Sequence, residues 1–454
     1  MGKIKSFEIV FENNKSVFFP GDNVTGKCVL ELRGGELKLN HIKMSMRGVA
    51  KVHWTESRST GNRLGAHTEH FSSEIEYFSK KQLLYRNSGT LVIFKESAVA
   101  IETNRYLWLE NTENGEFVLT DGIHEFSFCL QLPTSYVSCV YFTIFIKIFI
   151  SGISTSFEGK YGNVRYWLKA EIEKPWSFNN KTKKAFTVIK KIDINKREYL
   201  IPVANSAEKS LCCWCCKSGP ISLYARTDRK GYCPGESIAI TASFENDSSR
   251  TVIPQAIFNQ TQTFVAGGKT RCRKTKLSVI TGVGIQPRKR GTWNSQLLKI
   301  PAVSPSIINC CLIKVDYNLR ISLLINGGYN IFVDLPVVIG TVPLRRRSPV
   351  YNINQRNLAA NHTFPELPPY TFDNSIPNER KLFKISFNQI LNIFIIAPPS
   401  YAECISGSVD IRDEDEADIM GDTTFTPMYT YVNEYEYQPP PDYSEALADQ
   451  SFVR

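Results

Sequence analysis

Val164-Arg165-Tyr166-Trp167-Leu168-Lys169-Ala170-Glu171-Ile172 sets Val, Tyr, Leu, Ala and Ile on one parity, with Arg165, Lys169 and Glu171 between them. Successive side chains of an extended chain point to opposite faces, so this period of two makes a strand with one buried and one wetted face. The rhythm recurs at Ile42, Met44, Met46, Ala50, Val52 and Trp54, interleaved with Lys43, Ser45, Arg47, Lys51 and His53, and again at Ile238, Ile240, Ala242 and Phe244. Helical periodicity of useful length does not occur before residue 345. The expected fold class is all-β, with sheets paired as sandwiches.

A repeated turn splits this β region in two. Phe18-Phe19-Pro20-Gly21-Asp22-Asn23-Val24 returns 214 residues later as Tyr232-Cys233-Pro234-Gly235-Glu236-Ser237-Ile238. Pro fixes φ at one corner of a type II turn and Gly takes the positive φ at the next. Each copy heads an alternating strand, which implies duplicated modules. The boundaries that follow are an N-terminal sandwich over 1–197, a connector without strand pattern over 198–217, a second sandwich over 218–343, and a tail over 344–454. In the tail Pro, Asn, Asp, Glu and Ser replace the alternation, so it is expected to be largely disordered.

The 454 residues carry a formal charge of +10 and 12 cysteines. The positive field suits acidic partners such as anionic lipid. Its basic clusters (181–184, 190–191, 271–276, 288–290, 345–347) are too scattered for one nucleic-acid stripe, so no nucleic acid is expected. Met1 to Val10 has neither the apolar core nor the cleavage site of a secretory signal, which favours a reducing cytoplasmic setting and free thiols. Met1-Gly2-Lys3-Ile4-Lys5-Ser6 fits the myristoylation pattern, against which a strand starting at Ile4 would tether Gly2.

Two stretches break the pattern. Residues 136–153 (YVSCVYFTIFIKIFISGI) and 381–396 (KLFKISFNQILNIFII) share a narrow Phe/Ile/Lys/Asn vocabulary. The first falls short of the roughly 20 apolar residues of a membrane span and holds Lys147 at its middle. Both read as insertions derived from intron sequence or a misdrawn gene boundary, the first looping out of the N-terminal sandwich. A membrane-spanning protein is the alternative that rests on 136–153.

Catalytic signatures are missing: there is no G-x-x-x-x-G-K-S/T, no G-x-S-x-G and no H-E-x-x-H, so an enzyme is not expected. His67 and His70 lie in a polar, Gly-containing stretch read as a solvated loop, and no cofactor or metal is assigned. Cys212-Cys213-Trp214-Cys215-Cys216 admits zinc, S-acylation or unliganded thiols, although adjacent cysteines diverge and fit zinc poorly. Cys310-Cys311 reads as a strand pair with one thiol inward.

The sharpest chemistry is in the tail. Pro398-Pro399-Ser400-Tyr401 and Pro440-Pro441-Asp442-Tyr443 both spell P-P-x-Y, and Leu367-Pro368-Pro369-Tyr370 gives the weaker L-P-x-Y. Paired prolines pre-form a polyproline II ridge that slots between the aromatics of a WW domain, while the Tyr fills a second pocket. The ligand residues are therefore Pro398, Pro399, Tyr401, Pro440, Pro441 and Tyr443, with Leu367, Pro368 and Tyr370 as a weaker set. A flexible spacer of that length would reach about 35 Å, enough to engage two WW domains of one partner. The acidic run Asp410 to Asp418 reads as a solvating stretch that keeps the spacer extended.

Val24-x-Gly26, Ser156-Phe157-Glu158-Gly159-Lys160-Tyr161-Gly162, Val164-Arg165-Tyr166-Trp167, Lys174-Pro175-Trp176, Ser218-Gly219-Pro220-Ile221-Ser222, Asp228-Arg229-Lys230-Gly231-Tyr232 and Asp334-Leu335-Pro336-Val337-Val338-Ile339-Gly340 resemble the α-arrestins, the arrestin domain-containing proteins. The likeness covers most of 1–343, and the two P-P-x-Y motifs complete it. It implies two tandem arrestin-type β-sandwiches and a cytoplasmic adaptor whose tail recruits Nedd-family HECT ubiquitin ligases through WW domains. It also implies receptor or transporter cargo at the plasma membrane and endosomes. A thioredoxin-binding relative uses a cysteine shortly before a tryptophan in its second domain. Here that stretch is Arg288-Lys289-Arg290-Gly291-Thr292-Trp293, without cysteine, which disfavours a thioredoxin-inhibiting role while leaving Cys272 nearby. The alternative function is a redox/thioredoxin-linked or metal-responsive regulator acting through Cys212–Cys216 or Cys272.

Overall fold

The computed structural model describes residues 3–59, 66–85, 95–96, 117–142, 145–175, 177–213, 216–345, 400–413, 416 and 418–432. In the N-terminal sandwich, Lys3–Phe11, Asn23–Arg33 and Gly122–Gln131 form one antiparallel sheet. The facing sheet is centred on His41–Ser59, flanked by Ala66–Tyr85 on one side and by Gly162–Glu173, Asn180–Val188 and Val17–Phe18 on the other. The alternation becomes the core directly: Phe7, Ile9, Cys28 and Leu30 meet Met44, Met46, Tyr166, Leu168 and Phe186, all buried. Gly48 is required there, because a Cβ would lie 2.6 Å from the Tyr166 ring. Phe11, Phe18 and Phe186 close one end edge to face, with centroids 5.4–6.0 Å apart.

The second sandwich repeats the plan. Val203–Cys213, Cys216–Thr227, Ser237–Asn246 and Lys289–Lys299 make one sheet, and Gly231–Tyr232, Ile331–Ile339, Ile313–Ile325, Val252–Ala266 and Lys269–Thr281 the other. Ile221, Leu223, Ile240 and Phe244 face Phe258, Leu319, Ile321 and Leu335 across a buried core.

Residues 203–213 are thus not connector but an edge strand, paired in register from Val203↔Thr227 to Cys213↔Cys216. An edge strand is held by backbone bonds and needs few apolar side chains; here, among the described residues, Val203 and Ala207 pack on the core. Polar composition hid it. His70 likewise stands in a strand opposite Thr55 rather than in a loop. Cys310 and Cys311 precede the Ile313–Ile325 strand instead of belonging to it, with Cys310 buried and Cys311 exposed.

The sandwiches meet through aromatic and ionic contacts. Tyr161 stands edge-on to Phe264 at 5.7 Å, Arg271 lies 4.3 Å over the Tyr161 ring, and Lys269 pairs with Glu69 at 3.3 Å. Thr341 accepts a 2.8 Å bond from the Ile192 amide, and Asn195 donates to the Pro343 carbonyl at 2.9 Å.

The apolar run folds as a hairpin, Tyr136–Phe142 against Phe145–Ser151, which among the described residues pairs only with itself. No helix among the described residues is long and apolar enough to cross a membrane. The second odd stretch, 381–396, lies outside the described residues.

Candidate functional site

Of the sequence-assigned WW ligand residues, Tyr401 alone falls among those described. Leu367, Pro368, Tyr370, Pro398, Pro399, Pro440, Pro441 and Tyr443 lie outside them.

Residues 400–432 depart from the expectation of an unstructured tail. They return to the body and dock along it in short strands. Ser400–Glu403 pairs antiparallel with Met428–Tyr431, placing Tyr401 opposite Thr430. Ile419–Met420 adds in parallel to Lys181–Thr182 at the side of the N-terminal sheet, and Val409–Asp410 pairs with Thr424–Phe425.

Four hydrogen bonds anchor this segment. Tyr429 is fully buried and its hydroxyl donates to the Ser156 carbonyl at 2.8 Å, inside the S-F-E-G segment. The Met428 amide donates to Thr187 Oγ1 at 3.1 Å. On the second sandwich, the Ile405 amide bonds the Ala302 carbonyl at 3.1 Å and the Val432 amide bonds the Pro234 carbonyl at 2.9 Å, at the second Pro-Gly turn.

The acidic run is the electrostatic anchor rather than a solvating spacer. Lys183, 2% exposed, places its Nζ 2.6 Å from Glu416 Oε2, 3.2 Å from Asp413 Oδ2 and 2.9 Å from the Ile411 carbonyl. The same ammonium sits 4.8 Å over the Trp167 ring. Lys169 takes the other Glu416 oxygen at 2.6 Å, and Lys51 approaches Asp413 at 3.6 Å. An unpaired ammonium at that depth would be costly, and the tail carboxylates supply its counter-charge. Burial would raise the Glu416 pKa, but hydrogen bonds from Lys169 and Lys183 outweigh it and bring the carboxyl down to about 2.

Tyr401 is held within this arrangement. Its side chain is half-buried, and burial together with nearby Asp22 raises its phenol pKa. Ser400 Oγ donates to the Tyr431 carbonyl beside it. The sequence offered one hint of the docking, an acidic block in a chain whose basic clusters include Lys181, Lys183 and Lys184. What it lacked was any sign that groups 230 residues apart would meet.

The Arrestin (or S-antigen), N-terminal domain profile matches residues 7–195, and the Arrestin (or S-antigen), C-terminal domain profile matches 217–344. The chain is 31% identical over 457 residues to Arrestin domain-containing protein 4 of Mus musculus, covering 98% of this chain and 93% of the relative. The Homo sapiens counterpart is 32% identical over 453 residues, covering 98% and 92%. The chain is an α-arrestin. Thioredoxin-interacting protein of Mus musculus is also similar to this α-arrestin, 28% identical over 446 residues and covering 98% of this chain and 95% of the relative. The two tandem sandwiches expected from the repeated turn are the two arrestin domains.

The repeated turn keeps one backbone geometry in both arrestin domains. Gly21 and Gly235 take φ of 92° and 90°. The acid after each glycine accepts a hydrogen bond from the residue three before it, Asp22 from the Phe19 amide at 3.1 Å and Glu236 from the Cys233 amide at 2.9 Å. The α-arrestin's Arg229, fully buried, donates to Glu236 at 3.0 Å and to the Gly231 carbonyl at 2.9 Å.

Proposed function

We propose that this α-arrestin is an adaptor that joins WW-domain HECT-class ubiquitin ligases to membrane receptors or transporters, promoting their ubiquitination, endocytosis and endosomal sorting. It contributes no catalysis of its own. The observation that carries the reading is the placement of two P-P-x-Y sequences, 398–401 and 440–443, at either side of a tail segment docked on a two-domain arrestin body. The body offers extended sheet surface for cargo, and the motifs offer the polyproline–tyrosine chemistry that WW grooves recognise. Because the intervening 400–432 is packed on the body, the two motifs are not joined by a free spacer. Their joint engagement of one ligase depends on that segment's docking.

Ligase pull-down from cells tests this. Tyr401→Ala with Tyr443→Ala is expected to abolish capture of Nedd-family ligases while both sandwiches stay folded. Undiminished capture by the double variant would sink the assignment.

A thioredoxin-linked reading is the alternative, favoured by the similarity to Thioredoxin-interacting protein and by an exposed thiol, Cys272, in the second arrestin domain. It predicts a mixed disulfide with thioredoxin that is lost in Cys272→Ser. The ligase reading predicts none.

A further inference from the structure

We infer that the α-arrestin holds Tyr401, the tyrosine of its first proline–tyrosine motif, on its own chain, so that a WW domain takes this tyrosine only after Ser400–Glu403 has left Met428–Tyr431. This rests on the ligase reading above and names how that site is regulated. A WW groove takes its ligand as a polyproline II helix, with the tyrosine inserted between side chains of the domain. Tyr401 instead sits in an antiparallel ladder opposite Thr430, and its side chain is half-buried. One tyrosine cannot occupy both places.

The partner strand that closes the motif is fixed to both arrestin domains. Tyr429 reaches Ser156 of the first, and Val432 reaches Pro234 of the second. Cys404, directly after the closed strand, donates to the Pro427 carbonyl at 2.9 Å, tying the ladder at its other end. Insertion of Tyr401 into a WW groove breaks this ladder.

The experiment titrates a recombinant WW domain of a Nedd-family ligase against the full chain carrying Tyr443→Ala, which isolates the first motif. Two synthetic peptides, 394–406 and 437–446, serve as open references. The Tyr443→Ala chain is expected to bind about tenfold or more weakly than peptide 394–406, as for a site open in roughly a tenth of molecules. Adding Tyr429→Pro, which removes the buried ring and a strand N–H together, should restore the peptide's affinity. Glu416→Lys, placing a cation against Lys169 and Lys183, provides a second route to release, and hydrogen exchange over 428–431 reports whether release has occurred. Equal affinity of the Tyr443→Ala chain and the peptide would overturn the closure while leaving the ligase reading intact. So would release without any gain in binding. Failure of both peptides to bind would overturn the ligase reading itself, and the closure with it.

Discussion

The two Pro-Gly turns have one backbone and two energetic characters. Both glycines sit near φ +90°, both acids cap the residue three back, and both turns feed a neighbouring strand, Leu132 donating to the Asp22 carbonyl at 2.8 Å and Ile300 to the Glu236 carbonyl at 2.9 Å. Asp22, however, keeps 32% exposure and pairs with exposed Lys15 at 3.2 Å. Glu236 is wholly buried against wholly buried Arg229, with Asp228 beside it and the Tyr232 hydroxyl donating to Asp228. Duplication preserved the geometry, and burial made one copy ionic core and left the other a surface cap. A shared motif therefore fixes backbone shape without fixing the role of its acid.

The largest difference should appear on removing the acids. Glu236→Ala takes the closer of two carboxylates from buried Arg229, leaving Asp228 at 3.7 Å, and is expected to destabilise the second sandwich by about 3 kcal/mol. Asp22→Ala removes an exposed pair and one cap bond and should cost about 1 kcal/mol. Chemical denaturation of the two variants, followed by total tryptophan fluorescence and circular dichroism, measures both. Equal losses would erase the distinction.

The glycines sharpen it next. Gly21→Ala and Gly235→Ala both force a side chain into left-handed space, costing roughly 1–3 kcal/mol each. Only at Gly235 does the new Cβ also strike the tail, lying 2.3 Å from the Val432 carbonyl oxygen, whereas at Gly21 it meets the Thr134 methyl at 3.1 Å. Hydrogen exchange at 428–432 should thus rise in Gly235→Ala and stay unchanged in Gly21→Ala.

Acidity gives the smallest and most selective effect. Glu416 is lowered from its usual 4.5 to about 2, so its share of tail docking is present above 4.5 and lost as the pH falls toward 2. Glu236 moves the other way: burial raises its pKa despite Arg229, so its share is greatest below 4.5 and declines as the pH rises through the raised value. Acidification from pH 4.5 toward 2 should loosen the docked tail before it disturbs the second turn. Exchange profiles at falling pH would show protection at 419–420 disappearing while that at 232–238 persists.

The strands that build both cores were legible because each buries one face completely, as Met44, Met46, Tyr166 and Leu168 do, and burial writes a period of two into the sequence. Val203–Cys213 was not, since an edge strand is specified by hydrogen bonds that every backbone carries. The acidic run was misread for a related reason. Asp413 and Glu416 look like any solvated block until Lys183 is seen to be buried beneath them. Lys183 itself stands in a strand beside exposed Lys184, and only three-dimensional placement separates the two. For the proposed WW ligands, sequence named the motifs but not the ladder that sets Tyr401 opposite Thr430.

The seating of 400–432 on both arrestin domains has a further result for the protein as a material. A protease that nicked the chain between 346 and 399 would cut its covalent continuity without severing the strands, buried tyrosine and lysine cage that bind the distal piece. The clipped molecule would travel as one particle on a sizing column and part into two only on denaturation.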